Sequence, residues 1–72
     1  MSEYTVVIEQ SEHNYGAWVP DLDGCVATGS TLEEVTANIR EAIEFHIEGM
    51  LLHGETVPPP SSSIVTTVHV AS

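Results

Sequence analysis

The sequence predicts an α+β domain of the order β-β-β-α-β, in which a four-stranded mixed sheet carries one helix on one face. Runs rich in β-branched and aromatic residues stand at residues 4–10 and 64–70, and such runs are typical of strands. Residues 32–51 carry apolar side chains at the 3,4 spacing of an amphipathic helix. The chain has 72 residues, so we expect a single domain over 1–72 with a small core.

The first three strands are predicted to form a meander. Residues 4–10 and 15–19 have strand-like composition and flank a polar, turn-like segment, so they predict a hairpin. Pro20 and Gly24 then interrupt the strand pattern, because proline cannot donate to a ladder and glycine permits a tight turn. Residues 25–28 are predicted to form a short third strand that ends at Gly29.

A long helix follows. Ser30 and Glu33 have the spacing of a capping box, which predicts that the helix begins at Ser30. Gly49 is expected to weaken the helix, and Gly54 is expected to end it in a left-handed conformation before three prolines. The predicted apolar face consists of Leu32, Val35, Ile39, Ala42, Ile43, His46, Ile47, Met50 and Leu51.

The helical crossover predicts a fourth strand at 64–70 beside the first, which gives the strand order 3-2-1-4. The residues expected to face the helix are Tyr4, Val6, Ile8, Ala17, Val19, Ile64, Val68 and Val70. The opposite face is expected to carry Thr5, Val7, Glu9, Trp18, Val65, Thr67 and His69. An exposed tryptophan beside two valines predicts self-association or a partner interface. The unpaired edges of the third and fourth strands are the competing surface for self-association, and the sequence does not choose between edge and face. A solvated face with scattered apolar side chains is the equally weighted alternative.

Charge excludes several classes of function. Eleven acidic residues against one basic residue, Arg40, give a net charge of −10. Such a chain cannot neutralise phosphates, so direct binding to nucleic acid or to an anionic membrane is not expected, whereas a basic protein partner suits it. The single cysteine, Cys25, and the lack of a signal-peptide pattern predict a cytoplasmic protein.

No catalytic or metal site is expected, and no cofactor. Glu9, Glu41 and Glu44 are candidates for a nuclease-type metal site, but the predicted fourth strand supplies no carboxylate. The favoured interpretation is that Glu41, Glu44 and Glu48 form the solvated side of the helix, with Arg40 placed to pair with Glu44. The residues that could ligate a metal lack the short spacing of a zinc site. These are His13, Cys25, His46, His53 and His69.

An ordered set of motifs resembles the HicB-like antitoxin domain over residues 4–70. It comprises Trp18-Val19-Pro20-Asp21-Leu22, Gly24-Cys25, Gly29, Thr31 and Glu33-Glu34, then a long helix, Gly54 and Val57-Pro58-Pro59-Pro60. Asp23 stands where the family usually has a proline. The resemblance implies a partial ribonuclease-H-like fold. It also implies a structural role for Pro20, Asp21, Leu22, Gly24, Cys25, Gly29, Thr31 and Glu34.

The resemblance further implies a non-catalytic protein that binds and occludes a small, basic, mRNA-cleaving toxin of the HicA type, and that forms a homodimer or homotetramer. Candidate interface residues are Val7, Trp18, Val65, Thr67, Glu41, Glu44 and Glu48. Many members carry a carboxyl-terminal DNA-binding domain, and no such domain is expected within these 72 residues. The alternatives are an oligomeric interaction module without a toxin and a metal-dependent ribonuclease relative.

Overall fold

A computed structural model describes residues 3–61, 68, 70 and 71. Three strands, β1 (Val7–Gln10), β2 (Tyr15–Trp18) and β3 (Val26–Gly29), precede one helix, α1 (Leu32–Leu52). The strands form an antiparallel sheet in the order β1-β2-β3. The α+β class, the meander and the long helix are therefore confirmed, and the first strand is shorter than the predicted 4–10.

The core lies between α1 and the central and third strands. Side chains of β2 and of the turn that follows it, together with two residues of α1, are almost completely buried: Ala17, Val19, Leu22, Cys25, Val35 and Ile39. α1 packs on β2 and β3, and Gly29 permits its close approach. A Cβ atom at Gly29 would lie 2.5 Å from the backbone nitrogen of Val35.

The position of α1 corrects the predicted inward face. Ile8 was expected to face the core, but 37% of its surface is exposed, because α1 covers β2 and β3 and not the edge at β1. The predicted fourth strand, 64–70, lies outside the described residues except for Val68 and Val70. These two valines belong to no strand and are exposed, at 74% and 72%, so the prediction that they face the core is wrong. Within the part of the chain that the structure describes, α1 packs on β2 and β3 and leaves uncovered the β1 edge where these valines were expected to be buried.

The helix begins one residue later than predicted. Thr31 is the N-cap, with extended backbone (φ −132°, ψ 164°), and its hydroxyl accepts a hydrogen bond from the Glu34 backbone N–H at 3.0 Å. The Glu34 carboxylate in turn accepts from the Ser30 backbone N–H at 3.1 Å. The reciprocal bonding of a capping box is thus present, but Thr31 and Glu34 make it in place of the predicted Ser30 and Glu33.

At its other end α1 continues through Gly49 to Leu52, so the helix does not end at Gly49, and the expected energetic cost of this glycine stays a prediction. The predicted left-handed cap is confirmed, because Gly54 has φ +70°. The Gly54 N–H donates to the Leu51 carbonyl at 3.1 Å, and the Glu55 N–H donates to the Met50 carbonyl at 2.9 Å. This pair of bonds is a Schellman motif, which satisfies carbonyls that the helix itself leaves free. In the described part of the chain, no helix combines the length and the apolar character needed to traverse a lipid bilayer.

Candidate protein interface

The open face of the sheet carries a row of apolar side chains. The strand register places Val7 opposite Trp18 and Trp18 opposite Val26, and directly opposed residues of antiparallel strands share a face. Trp18 is 42% exposed and Val26 is 65% exposed. The Trp18 indole N–H donates to the Glu9 carboxylate at 3.3 Å. We call Val7, Trp18 and Val26 the sheet patch.

The sheet patch contains two of the predicted interface residues, Val7 and Trp18. The other two on this face, Val65 and Thr67, lie outside the described residues. Val26 was not among the candidates, although its place one residue after Cys25 puts it on the face opposite that buried thiol. The alternation of the third strand was the signal that could have identified it.

The outer side of α1 forms a second surface. Glu41, Glu44 and Glu48 are exposed there, as the helical spacing predicted. The structure adds three large apolar residues that were not among the candidate interface residues, namely Phe45 (80% exposed), Leu51 (63%) and Leu52 (78%). Leu51 was expected on the buried apolar face of the helix, and its exposure corrects that prediction. We call these six residues the helix patch. Phe45 and Leu52 lie seven residues apart and outside the predicted apolar stripe. This spacing could have identified them from the sequence as neighbours on the outer side of the helix.

The carboxylates of the helix patch are unpaired. The expected Arg40–Glu44 ion pair is not formed within the described residues, and no other cationic side chain there pairs with the three glutamates. Both Arg40 and Glu44 are exposed, and an exposed pair gains little free energy over separate hydration of its two charges. The helix patch therefore presents three uncompensated negative charges among apolar side chains.

The nuclease-type set of carboxylates is divided between the two sides of the domain. Glu9 lies on the open face of the sheet, where it accepts the Trp18 hydrogen bond, whereas Glu41 and Glu44 belong to the helix that covers the other face. The described residues contain no group of three or more His, Cys, Asp or Glu side chains placed to hold a metal ion. His46 faces Met50, Leu22 and Pro58 across a depression beside the loop after β2.

The loop after β2 is built by residues of the motif. Two overlapping turns are closed by hydrogen bonds from the Leu22 N–H to the Val19 carbonyl and from the Cys25 N–H to the Leu22 carbonyl, both 3.2 Å. Gly24 supplies the positive φ of +79° that the second turn requires. These turns direct the Leu22 side chain into the core, where it is 1% exposed.

Asp21 connects this loop to the segment that follows α1. Its carboxylate accepts from the Ser61 backbone N–H at 3.1 Å and from the Ser61 hydroxyl at 2.7 Å. These two bonds, the backbone one first, lower the pKa of the Asp21 carboxyl because they favour its charged form. Nearby, the Tyr4 hydroxyl donates to the Pro58 carbonyl at 2.6 Å. The proline-rich segment is thereby tied to the body of the domain.

Cys25 has the environment of a structural cysteine. It is 4% exposed within the hydrophobic core, and desolvation raises the pKa of its thiol. Because the thiolate is the nucleophile and the metal ligand, this environment suppresses both reactions. The structure therefore supports the interpretation of Cys25 as a small apolar residue.

Comparison with known proteins extends these observations. Residues 4–70 match the family described as HicB_like antitoxin of bacterial toxin-antitoxin system. A 14.9 kDa protein of Haemophilus phage HP1 is 47% identical over 55 residues, which are 76% of this chain and 41% of the phage protein. A UPF0150 protein of Thermoplasma acidophilum is 38% identical over 65 residues, covering 89% of this chain and 94% of the relative. The chain thus spans well under half of the phage relative's length.

A solved structure is also similar. A chain of a HicA3 and HicB3 toxin-antitoxin complex superimposes with a TM-score of 0.72 at 32% sequence identity. The match covers 82% of this chain and 70% of that chain.

Proposed function

This chain belongs to the HicB-like antitoxin family, and on that premise we propose that it acts in the cytoplasm by binding a small, basic, mRNA-cleaving toxin of the HicA type and covering the toxin's RNA-binding surface. The observation that carries the proposal is the likeness to a chain of a HicA3 and HicB3 complex at 32% identity over 82% of this chain. The net charge of −10 supports it, because an acidic surface attracts a protein that is itself built to bind RNA.

The proposed action is binding without catalysis. Glu9 and the glutamates of α1 lie on opposite sides of the sheet, whereas metal-assisted cleavage of RNA needs carboxylates that converge on one ion. The sole cysteine is buried and its thiol pKa is raised, which disfavours a thiolate nucleophile. The surface features of the described residues are those of an interaction protein.

The test is co-purification followed by a toxin assay. The tagged chain is isolated from its native cell, and we expect a small, strongly basic protein to co-elute in near-stoichiometric amount. Added back to that protein, the chain should suppress its RNA cleavage. Recovery of self-oligomers alone would favour the second candidate, an oligomeric module without a toxin. RNA cleavage by the chain itself, abolished by Glu9→Gln or Glu44→Gln, would contradict the proposal.

We further propose that the chain forms a homodimer or homotetramer through the sheet patch. Among the described residues, the charged groups beside this patch are Glu9, whose carboxylate accepts the Trp18 indole hydrogen bond, and Asp23, which lines a depression with Trp18 and Val26. The patch itself is apolar, so two copies can meet through its exposed Trp18 and Val26 side chains. Trp18→Ala or Val7→Asp should lower the solution mass measured by light scattering. Ile8→Asp, on the neighbouring position of the same strand but the other face, serves as the matched control for Val7→Asp. An unchanged mass in both sheet-patch variants would exclude this face.

A further inference from the structure

The helix patch lies on the outer side of the second half of α1. The inner side of that half still packs against the core through Ala42, Ile43 and Ile47, although the most deeply buried helix residues, Val35 and Ile39, belong to the first half. In the second half, Phe45 and Leu52 are 80% and 78% exposed. A large aromatic side chain left in water is unfavourable for an isolated domain, so its presence there indicates that something covers it.

The patch has a regular order along the helix. Glu41, Phe45, Glu48 and Leu52 follow one another at spacings of four, three and four residues, which places them in one row on the surface of a helix. The row is about 16 Å long at 1.5 Å per residue. Glu44 and Leu51 flank it and line a shallow depression with Ile47. Carboxylates and apolar side chains therefore alternate along a single face.

The charge of the patch decides between two possible occupants. A second copy of the chain, packed face to face, would bring six carboxylates together on top of a net charge of −10 for each copy, and like charges at an interface are strongly unfavourable. A cationic partner removes this repulsion, because each glutamate gains an opposite charge that the described residues do not supply. The apolar residues between the glutamates are covered only if the partner also offers apolar side chains.

We infer that the helix patch is the docking site for a cationic amphipathic segment of the protein partner. Lysine or arginine side chains of that segment pair with Glu41, Glu44 and Glu48, and its apolar side chains pack on Phe45, Leu51 and Leu52. The inference rests on the proposed function, which supplies a basic partner. It assigns partner binding to the helix and leaves the sheet patch, on the opposite side of the domain, for contact between copies.

The probe is a synthetic, fluorescein-labelled, helix-forming peptide with lysines on one face and leucines on the other, and binding is measured by fluorescence anisotropy at low ionic strength. A peptide of the same composition in scrambled order is the probe control. We expect the amphipathic peptide to bind and the scrambled peptide to bind at least about tenfold more weakly. Equal binding of the two peptides would overturn the inference, as would no binding of either.

Matched variants locate the site on the full chain. Glu41→Gln with Glu48→Gln, and separately Phe45→Ala with Leu52→Ala, should each weaken binding by about tenfold. Glu12→Gln with Glu33→Gln removes the same charge at exposed positions elsewhere, and Leu32→Ala with Val70→Ala removes exposed apolar surface outside both patches. These controls should change affinity by less than about twofold. Equal effects in the variants and their controls would show diffuse attraction and overturn the inference.

Three further results test this inference and separate it from the proposed function. If Phe45→Ala with Leu52→Ala lowers the solution mass, the occupant is a second copy and the inference fails. If a basic protein co-purifies with the chain but retains its affinity for Glu41→Gln with Glu48→Gln, the helix patch is wrong while the proposed function stands. If the peptide binds the helix patch but the native cell yields no basic partner, the proposed function fails and the docking chemistry of the patch is retained.

Discussion

The two halves of α1 differ in what they contact, although they belong to one uninterrupted helix. The first half buries Val35 and Ile39 completely against the sheet, and its N-terminus is closed by the Thr31 cap. The second half leaves Phe45, Leu51 and Leu52 exposed and carries the unpaired carboxylates. The first half therefore supplies the most deeply buried side chains of the helix. The second half supplies partly buried residues, Ile43 and Ile47, on its inner side and exposed carboxylates and apolar side chains on its outer side.

The lengths of the elements explain the division. Each strand has four residues, which span about 13 Å, whereas the 21 residues of α1 span about 32 Å. A sheet of this size covers only part of such a helix. In the remainder, Ile43 and Ile47 are only partly buried against the core, and Leu51 and Leu52 at its end are exposed to solvent.

The largest contrast is expected between two leucines. Leu22→Ala removes a side chain that is 1% exposed in the core that the first half of α1 covers, and it should lower the free energy of unfolding by about 2–5 kcal/mol. Leu52→Ala removes the same atoms where 78% of the side chain is exposed, and it should change that free energy by less than about 0.5 kcal/mol. Urea unfolding at equal protein concentration measures both. Similar midpoints for the two variants would remove the distinction between the halves.

Two glycines test the same contrast between the first and second halves of α1. Here the substitution adds a methyl group, whereas the leucine variants remove side-chain atoms. In Gly29→Ala the new Cβ would lie 2.5 Å from the Val35 nitrogen and 2.8 Å from its Cα, so α1 must shift and the expected loss of stability is about 1–3 kcal/mol. In Gly49→Ala the new Cβ meets no atom within 4 Å. This second variant should gain about 0.5–1 kcal/mol from helix propensity. Thermal unfolding followed by circular dichroism would show shifts of opposite sign, and a gain for Gly29→Ala would contradict the close packing at β3.

The helix cap gives a smaller effect. Thr31→Ala removes the acceptor of the Glu34 N–H bond and should destabilise the protein by about 1 kcal/mol. Thr36→Ala is the matched control, because the Thr36 hydroxyl donates to the Leu32 carbonyl within the helix at an exposed position and should be nearly neutral. The measurement is again urea unfolding. Equal losses for the two threonines would show that the cap does not anchor the first half.

The smallest effect concerns pH. The Ser61 backbone N–H and hydroxyl lower the pKa of the Asp21 carboxyl from its usual 3.8, so the folded state favours the charged form. The resulting stability is present above the unfolded pKa and is lost as the pH falls through the lower, folded pKa. Wild-type protein should therefore lose stability below about pH 4 more steeply than Asp21→Asn does. Asp23→Asn, at an exposed position in the same loop, should keep the wild-type slope when unfolding is measured at several pH values.

The register of the sheet was predictable from the sequence, but the exact helix cap was not. Alternation along residues 15–19 correctly predicts that Ala17 and Val19 face the core and that Trp18 faces outward. Two hydroxyl residues, Ser30 and Thr31, stand before two glutamates, so two overlapping capping boxes fit equally well. In the structure Thr31 has the extended backbone of an N-cap, so the capping box is formed by Thr31 and Glu34.

The candidate surfaces were predictable only in part. The exposed acids of α1 follow from their place outside the apolar stripe, whereas the exposure of Ile8 depends on which strands the helix covers. A 3,4 pattern identifies which side of a helix is apolar, but it does not state how far the supporting sheet extends along that side. For this reason Leu51, counted in the predicted apolar face, is 63% exposed.

By itself the sequence determined the element types, the meander, the left-handed glycine after the helix, and the motifs that identify the family, because these depend on local conformational preference and on residue order. Tertiary structure alone decided that α1 lies over β2 and β3, that Gly29 contacts its backbone, and that Asp21 holds Ser61, 40 residues away. Contacts between residues distant in the chain depend on how rigid elements of unequal length fit together. Local patterns carry no measure of that fit, and it is this fit that leaves Leu51 and Leu52 at the end of the helix exposed.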